Sequence, residues 1–381
     1  MKIPEPLAQS VHQFEFAKNL VEMGIEVHLI CRRDDNRPSH ETGITYHRVF
    51  SKDVPLNRLF FTRNAKSKVK TLLREHKFDI VHDRGYLFGG SGISIARKAG
   101  IPTVLQIDDD WIRTEALASR IAATRLYRVM ALWWCQRTLR RANHAFAVSE
   151  SLRRVAIDEW GADANRIDII PNGVDLDLFS PGVEPFGIRD RLNAGGDSIV
   201  CFVGALGPWH GIDQLLRAFP IALAKQANMR LLLVGGAKEY EIGHLIAQTE
   251  SLGITDRVSF LGRVEHKEIP RILVESDVAV APYPHVDYGF SPLKIFEYMA
   301  CGLPVITSDI PSTREIIRHG ENGLLVKAGD PNGLAQAILS VLGDSDLAAR
   351  LRAGALESAQ GYSWRSSTER LVELYHKALR G

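Results

Sequence analysis

The sequence has few cysteines, and none of them belongs to a recognisable metal-binding or redox motif. Its 381 residues contain four cysteines that lie far apart, so neither a C-x-x-C zinc site nor a disulfide framework is indicated. No apolar run approaches the roughly 18 residues that a membrane span needs. The first residues, MKIPEPLAQS, lack the charged-then-apolar pattern of a secretory signal. We therefore expect a cytoplasmic protein that at most lies peripherally on the inner face of a membrane.

A strong excess of charge is also missing, because the net charge is +2 at pH 7. We expect no nucleic-acid partner. Hydrophobic residues make up 45% of the chain and charged residues 24%, which allows a sizeable core. The length is typical of two domains. Positive charge is concentrated locally in residues 52–77 and 120–141.

Short β-branched runs alternate with longer amphipathic segments, which is typical of βαβ units around parallel sheets. A segment rich in Pro, Gly and Asp, from Pro171 to Asn193, separates two such sets. The sequence therefore predicts an α/β protein with two Rossmann-like, doubly wound domains that face a central cleft. We place an N-terminal domain at residues 1–172 and a C-terminal domain at residues 186–361. A last helix at residues 365–379 can pack on the first domain.

The first domain opens without its usual strand. A helical pattern from Val11 to Met23 comes almost at once, and Pro4 and Pro6 before it resist strand pairing. A Rossmann-like half normally begins with a strand and a Gly-rich turn. Either this strand is reduced or absent, or the chain begins downstream of its natural start.

The strongest chemical signal is the segment Gly-Phe-Ser-Pro-Leu-Lys that begins at Gly289. Ser291 is a favourable N-cap and Pro292 a favourable first helical residue, so a helix with free N–H groups is predicted here. Such a helix start is an anion site and suits a diphosphate. Lys294 in the first turn opposes the helix dipole, which a bound anion would explain, and Glu297 is placed to bind a ribose. An ordinary amphipathic helix with surface charges is the alternative.

Several motifs resemble those of glycosyltransferase family 4, whose fold is GT-B. They are the stretch from Asp277 to Tyr283, Gly302-Leu-Pro-Val-Ile-Thr-Ser-Asp, Glu315-Ile-Ile-Arg-His-Gly-Glu-Asn-Gly, Ile170-Pro-Asn-Gly-Val-Asp and Phe202-Val-Gly-Ala-Leu. The resemblance extends from about Val11 to the C-terminus. It implies a retaining transfer from a nucleotide-diphosphate sugar, the co-substrate, with no metal and no other cofactor.

On the donor side the resemblance implies a set of binding residues, which are Gly204, Ala205, Arg263, Val264, Gly289, Phe290, Ser291, Pro292, Leu293, Lys294 and Glu297. Glu297 takes the second position of the family's E-x7-E pair, which binds the ribose. The first position is Gly289, whose small size would let the sugar approach closely. The backbone N–H groups of Phe290 to Leu293 are then candidates to replace the missing carboxylate.

A second departure lies on the loop from Gly204 to Gly211, where many relatives have Arg and Lys. Ala205 and His210 stand at those positions. The leaving diphosphate gains negative charge that the site must stabilise. We expect Lys294 to supply the fixed cation, with His210 assisting when protonated. A loop histidine that only bonds its neighbours is the alternative.

On the acceptor side an acidic cluster, Asp108, Asp109 and Asp110, follows the predicted strand Thr103–Ile107. The carboxyl ends of parallel strands face the cleft. The family often has a histidine here; Asp108 could instead orient the acceptor hydroxyl or hold a donor hydroxyl. Asp109 and Asp110 could bind a polyhydroxylated or cationic acceptor. The Asp-x-Asp pattern binds a divalent metal in other glycosyltransferases, but acids solvated in a turn are the expectation here.

Further acceptor contacts are predicted for His82, Asp83 and Tyr86, at and just after the end of a second predicted strand, Asp79–His82, with a structural histidine as the alternative. The basic stretches at residues 52–77 and 120–141 indicate a possible membrane contact. The pattern from Arg125 to Arg141 is amphipathic, cationic and aromatic. A helix that packs its apolar face on the sheet is the alternative.

We predict a hexosyl- or related glycosyltransferase with Asp108, Lys294 and His210 as catalytic residues. Its acceptor would be a glycan or a lipid-linked molecule in surface polysaccharide or glycoconjugate synthesis. A small-molecule acceptor, such as an aminocyclitol or another natural product, is one alternative. A nucleotide-sugar epimerase and a non-catalytic nucleotide-sugar binder are the others.

Overall fold

The computed structural model of the chain describes residues 8–32, 40–41, 43–49, 57–87, 89–118, 124–285 and 289–381. They form two compact units. The first contains the described residues up to Asn172, residues 289–291 and Trp364–Gly381. The second contains residues 173–285 and Pro292–Ser363.

Strands of the first unit form two separate sheets. In one sheet β1 (Val27–Arg32) pairs in parallel with β3 (Ile44–Val49), and the short β2 (His40–Glu41) pairs antiparallel with β3. The other sheet is parallel and is ordered β4 (Val81–Arg84), β5 (Thr103–Ile107), β6 (His144–Ala147) and β7 (Ile167–Ile169). Within the described residues β1 and β4 pair on one side only, and no strand precedes the first helix.

The helices that precede and connect these strands are α1 (Ala8–Glu22), α2 (Asn57–Glu75), α3 (Ser91–Lys98), α4 (Trp111–Ala118), α5 (Arg125–Leu139) and α6 (Glu150–Asp158). Helix α3 leads from β4 to β5, and α5 leads into β6. Because such connecting helices run antiparallel to parallel strands, their C-terminal ends lie at the amino edge of the sheet. The carboxyl edge is the opposite one.

The second unit is built on one parallel sheet in the order β10-β9-β8-β11-β12-β13. Its strands are β8 (Ser198–Val203), β9 (Met229–Val234), β10 (Val258–Gly262), β11 (Val278–Ala281), β12 (Val305–Ser308) and β13 (Leu324–Val326). From β8 the chain adds β9 and β10 on one side of the sheet and then β11, β12 and β13 on the other, so the strand order changes direction between β8 and β11. In doubly wound sheets ligands bind at the carboxyl ends of the strands at this switch point.

The helices of the second unit are α7 (Ile188–Arg191), α8 (Ile212–Leu223), α9 (Glu239–Ser251), α10 (Ile269–Leu273), α11 (Leu293–Ala300), α12 (Pro311–Arg314), α13 (Pro331–Gly343) and α14 (Ser345–Gln360). All residues of β11 are buried, as expected for a parallel strand covered on both faces. The last helix, α15 (Trp364–Arg380), belongs to the first unit. Its Trp364 ring lies 5.3 Å from the ring of Phe16, centroid to centroid.

Candidate active site

The switch point of the second sheet brings glycine backbone to the carboxyl end of β8. Gly204 follows β8 with a φ of 141°, which glycine adopts far more readily than other residues. Gly235 follows β9, and a Cβ on it would lie 1.8 Å from the carbonyl oxygen of Gly204. No side chain therefore fits between the ends of these two strands.

Lys294 extends from α11 to this point. A Cβ on Gly204 would lie 2.8 Å from Lys294 Nζ. The ammonium is 4.1 Å from the ring centroid of Phe202 and 5.3 Å from that of Tyr283. Its Nζ is 3.3 Å from Nδ1 of His210. The cation is thus held by two aromatic rings and an imidazole at the ligand-binding end of the sheet.

The protonation of Lys294 depends on its burial. Burial lowers its pKa to about 7, although the negative charge of Glu297 acts to raise it. Among the described residues no carboxylate forms an ion pair with this ammonium. A bound anion would supply the missing negative charge and favour the protonated form.

His210 is a neutral partner of Lys294. Burial, with the nearby charge of Lys294 as the second cause, lowers the pKa of His210 to about 2. The ammonium therefore donates a hydrogen bond to the neutral Nδ1. In the unliganded site a protonated His210 would be repelled by the ammonium at this distance, so the imidazole is neutral there. The assistance expected from His210 as the diphosphate leaves stays a prediction.

Glu297 lies one turn beyond Lys294 on α11 and receives a hydrogen bond. Nε2 of His266 is 3.0 Å from its Oε1, and the side chain of Glu297 is 14% exposed. His266 sits in a 3-10 turn after β10, and its ring packs 5.2 Å from that of Phe179. His266 could not be predicted from the sequence, because a histidine in a charged loop carries no local signal.

Helix α11 begins one residue later than the sequence predicts. Its N-cap residue is Pro292, with a ψ of 84°, and no side chain caps it. Ser291 Oγ is buried and has no partner in the described part of the chain. The predicted cap by Ser291 is therefore wrong. The amide of Ile295 bonds to the carbonyl of Pro292, so the amides that precede it at the helix start are those offered to an anion.

Gly289 is packed against the start of α6. A Cβ on Gly289 would lie 2.3 Å from the amide nitrogen of Leu152. The expectation that this glycine makes room for a sugar is not supported, since the space beside it is filled by backbone. The same contact explains why no carboxylate stands at the first E-x7-E position.

Other predicted donor-side residues of the second unit, Ala205, Arg263 and Val264, are less buried than Lys294. Arg263, which follows β10, packs on Gly236, where a Cβ would lie 2.4 Å from Arg263 Nε. Arg263 and Ala205 are exposed, and Val264 is half-buried. An exposed arginine on this edge is a second cation available to a ligand.

In the first unit, Asp108 follows β5 and pairs with Arg84 at the end of β4. Arg84 Nε donates to Asp108 Oδ2. The Asp108 side chain is 5% exposed, and its other oxygen is buried with no partner among the described residues. This ion pair marks the carboxyl edge of the parallel sheet.

Buried polar atoms without partners surround this ion pair. Within the described ranges they are both ring nitrogens of His12, Nε2 of His82, Nε2 of Gln106 and Oδ1 of Asp108. Burial lowers the pKa of His12 and His82 to about 4, against the charge of Asp108, so both are neutral near pH 7. Nδ1 of His82 bonds to the hydroxyl of Tyr375 on α15 at 2.8 Å. Buried polar atoms normally have partners, so this cluster can bind the hydroxyl groups of a ligand.

Two carboxylates predicted to contact the acceptor serve helix starts instead. Asp83 Oδ2 accepts from two amides at the start of α3, at 3.0 and 3.4 Å. Asp110 Oδ1 accepts from two amides at the start of α4, and its Oδ2 pairs with Arg113 at 2.5 Å. Both side chains are engaged in local structure, and their contact with an acceptor stays a prediction. Tyr86 places its hydroxyl 3.1 Å from Oγ1 of Thr62, and Asp109 is half-buried.

The Asp-x-Asp pattern is likewise occupied by arginines. Asp108 pairs with Arg84 and Asp110 with Arg113. Across the described ranges no group of three or more His, Cys, Asp or Glu is arranged to hold a metal ion. The two carboxylates carry little uncompensated charge.

Comparisons with known proteins identify the family of the chain. The profile described as "Glycosyltransferase Family 4" matches residues 9–178, and that described as "Glycosyl transferases group 1" matches residues 197–344. The chain belongs to glycosyltransferase family 4. The first match falls largely in the first unit and the second match largely in the second unit.

Similar proteins include D-inositol 3-phosphate glycosyltransferases. That of Thermobispora bispora is 26% identical over 97% of this chain and 90% of its own length. That of Geodermatophilus obscurus is 29% identical over 97% of this chain and 84% of its own. These relatives are similar along nearly the whole family 4 chain.

Solved structures show the fold. Sucrose-phosphate synthase from Thermosynechococcus elongatus has a TM-score of 0.81 at 24% identity and covers 98% of this chain and 94% of its own. HepE from Anabaena, in complex with UDP-glucose, has a TM-score of 0.77 at 19% identity and covers 99% and 98%. The family 4 enzyme therefore has the GT-B fold. None of the helices in its described residues is long and apolar enough to cross a bilayer.

Proposed function

We propose that this glycosyltransferase moves a sugar from a nucleotide-diphosphate donor to an acceptor hydroxyl with retention of anomeric configuration and without a metal or other cofactor. The observation that carries the proposal is the buried ammonium of Lys294, which lies beside Gly204 at the switch point with no paired carboxylate among the described residues. Such a cation at a helix start suits a diphosphate. The solved HepE complex, with UDP-glucose, is consistent with this donor class.

In the proposed reaction the bond between the sugar C1 and the diphosphate oxygen breaks, and a bond from C1 to the acceptor oxygen forms. The diphosphate leaves with the bonding electrons, and Lys294 with the amides that open α11 stabilises its charge. The acceptor hydroxyl loses its proton to an oxygen of the departing phosphate. Glu297, held by His266, binds the ribose hydroxyls. No protein nucleophile is needed for attack on the same face.

We propose a small polyhydroxylated acceptor in preference to a polysaccharide. The polar cluster around Asp108 in the first unit offers neutral nitrogens of His12 and His82 and the amide of Gln106, which are suited to ring hydroxyls. The relatives named for D-inositol 3-phosphate support an acceptor of this size. Asp108 would orient the attacking hydroxyl. A glycan or lipid-linked acceptor is the second candidate.

The test is a transfer assay with UDP-glucose, UDP-N-acetylglucosamine and GDP-mannose as donors, and with myo-inositol, its 3-phosphate and oligosaccharides as acceptors. We expect nucleotide release that requires an acceptor, persists in excess EDTA and yields a product with the donor's anomeric configuration by NMR. Lys294→Met should abolish turnover, whereas Lys225→Met, which changes an exposed lysine at the end of α8, should not. An inverted product would refute retention. Conversion of the donor without an acceptor would indicate an epimerase, and donor binding without turnover a binder.

A peripheral position on the inner face of a membrane stays part of the proposal. Of the two basic stretches, residues 57–77 and 124–141 are described, and they belong largely to α2 and α5. Helix α5 exposes Leu126, Met130 and Trp133, with 72%, 48% and 56% of their surfaces accessible. Exposed apolar residues on a cationic helix are typical of a surface that meets anionic lipid.

A further inference from the structure

A wide groove in the first unit is lined almost entirely by cations and uncharged residues. It has a volume of about 1300 Å³ and lies between α2, α3 and α5. Eight of its fourteen lining residues are Lys or Arg, and none is Asp or Glu. Such a surface has a strongly positive potential even though the whole chain is nearly neutral.

The groove cations have no ion-pair partner in the part of the chain that the structure describes. Arg97 donates to the carbonyl of Arg140 at 3.3 Å, and Arg141 donates to Ser94 Oγ at 3.0 Å. Within the described residues none of the eight groove cations forms a salt bridge. Burial, followed by the positive charges of Arg137 and Arg97, lowers the pKa of Arg141. The cations repel one another, and an anion would relieve that repulsion.

Helix dipoles account for only part of this arrangement. The helix dipole stabilises cations near a helix C-terminus, which can explain Arg74, Arg97, Lys98, Arg137 and Arg140. Lys66 and Lys70 lie in the middle of α2, more than a turn before its end at Glu75. Three helices therefore place cations around one groove. Compensation of the helix dipoles does not require Lys66 and Lys70 to be among them.

An exposed apolar stripe continues the groove along α5. Leu126, Val129, Met130 and Trp133 follow the spacing of one helix face, and Val129 is 58% exposed. Trp133 belongs to both surfaces, since it also lines the groove, and the guanidinium of Arg137 lies 5.2 Å from its ring centroid. An apolar stripe next to a cationic groove matches the acyl chains and phosphate groups at the surface of a bilayer.

We propose that this groove is a second ligand site, which binds several phosphate groups at once, and that anionic phospholipid headgroups are their source. The choice of lipid as the source of the phosphates rests on the proposed membrane contact. The phosphate site itself does not depend on the proposed transfer reaction. The groove is formed by the C-terminal halves of α3 and α5 and thus lies at the amino edge of the sheet. The polar cluster at Asp108 lies at the carboxyl edge. Phosphates in the groove would hold the enzyme at a surface without entering the acceptor site.

The test compares two double variants with the same change in charge on the same two helices. The groove variant is Lys70→Glu with Arg137→Glu, and the control is Arg63→Glu with Arg128→Glu, at exposed positions that do not line the groove. Binding is measured at 150 mM NaCl to vesicles of phosphatidylglycerol and phosphatidylcholine, to vesicles of phosphatidylcholine alone, and to soluble inorganic polyphosphate. Each lost cation near an anionic surface costs about 1 kcal/mol. The groove variant should therefore bind anionic vesicles at least about 30-fold more weakly than wild type, and markedly more weakly than the control.

The outcomes separate the two sources of phosphate. Vesicle binding that needs phosphatidylglycerol and is lost mainly in the groove variant supports the lipid source. Polyphosphate binding that is lost mainly in the groove variant, without vesicle binding, supports the phosphate site and overturns the lipid source. No binding to either ligand, or equal weakening in both variants, overturns the site. Turnover with a soluble acceptor should be the same in all three proteins, so a failure here is distinct from a failure of the proposed reaction.

Discussion

Binding of a nucleotide-diphosphate sugar should bring a proton to Lys294. With a pKa of about 7, this lysine is about half neutral at pH 7 and about three-quarters neutral at pH 7.5. A diphosphate against the ammonium favours the charged form and returns the pKa towards the ordinary value of about 10.4. The complex should then take up about 0.75 proton at pH 7.5 and about 0.25 proton at pH 6.5.

The sign of the pH dependence follows from this uptake. A ligand that binds together with a proton loses affinity as the pH rises through the pKa of the free site. The affinity should be nearly constant below pH 6 and should fall by almost tenfold for each pH unit above pH 8, until the pKa of the complex is reached. His210 does not add to this effect near pH 7, because its pKa is about 2 in the free site.

Isothermal titration calorimetry in buffers of different ionisation enthalpy measures the uptake directly. A nucleotide sugar is the right ligand, since both ends of its diphosphate are esterified and neither phosphate titrates in this range. Lys294→Arg keeps a permanent charge and should bind without proton uptake. Lys225→Met, which removes an exposed lysine, should keep the wild-type uptake. Equal uptake in wild type and Lys294→Arg, or a wild-type affinity that does not fall between pH 7 and 8.5, would refute this account of Lys294.

Two further predictions concern stability. Gly289→Ala should lower the free energy of unfolding by about 1 to 3 kcal/mol, because its Cβ would meet the backbone of Leu152. Gly243→Ala, in the open middle of α9, should raise it by about 0.5 to 1 kcal/mol, and thermal melts that show the same sign for both would contradict the packing. The pKa of Asp83 is raised to about 6 by burial, so its folded state prefers the protonated form and loses stability as the pH rises from about 4 to 6. Asp83→Asn should therefore gain about 2 kcal/mol relative to wild type between pH 4 and 7 in urea unfolding, and a constant difference would contradict that sign.

Buried parallel strands could be predicted from the sequence. The predicted strand Thr103–Ile107 has the bounds of β5, in which every residue is buried. Continuous apolar runs of this length are typical of strands covered on both faces. The predicted strand Asp79–His82 begins two residues too early, because β4 is defined by its register with β5, in which Val81 stands opposite Thr103. A register set by a neighbouring strand is not visible in the local pattern.

The donor lysine could also be predicted, whereas its surroundings could not. A cation in the first turn of a helix conflicts with the dipole, so Lys294 stands out in the sequence. The neutral state of His210 depends on burial beside Lys294, more than 80 residues away along the chain. Likewise Gln13 and Gln106 meet at 2.7 Å from distant elements. Packing between distant segments places such polar side chains together. The spacing of residues in the sequence therefore does not predict these contacts.

The histidine at position 210 suits the surroundings of Lys294. A second fixed cation at position 210, in place of the histidine, would lie next to the buried ammonium of Lys294, and its desolvation would be uncompensated before the donor arrives. A neutral histidine there can accept a hydrogen bond from Lys294 and hold it in position at no such cost. About half of the positive charge of Lys294 at pH 7 should then form as a diphosphate binds, because the anion favours the protonated form. When the nucleotide diphosphate leaves, Lys294 should release that proton again.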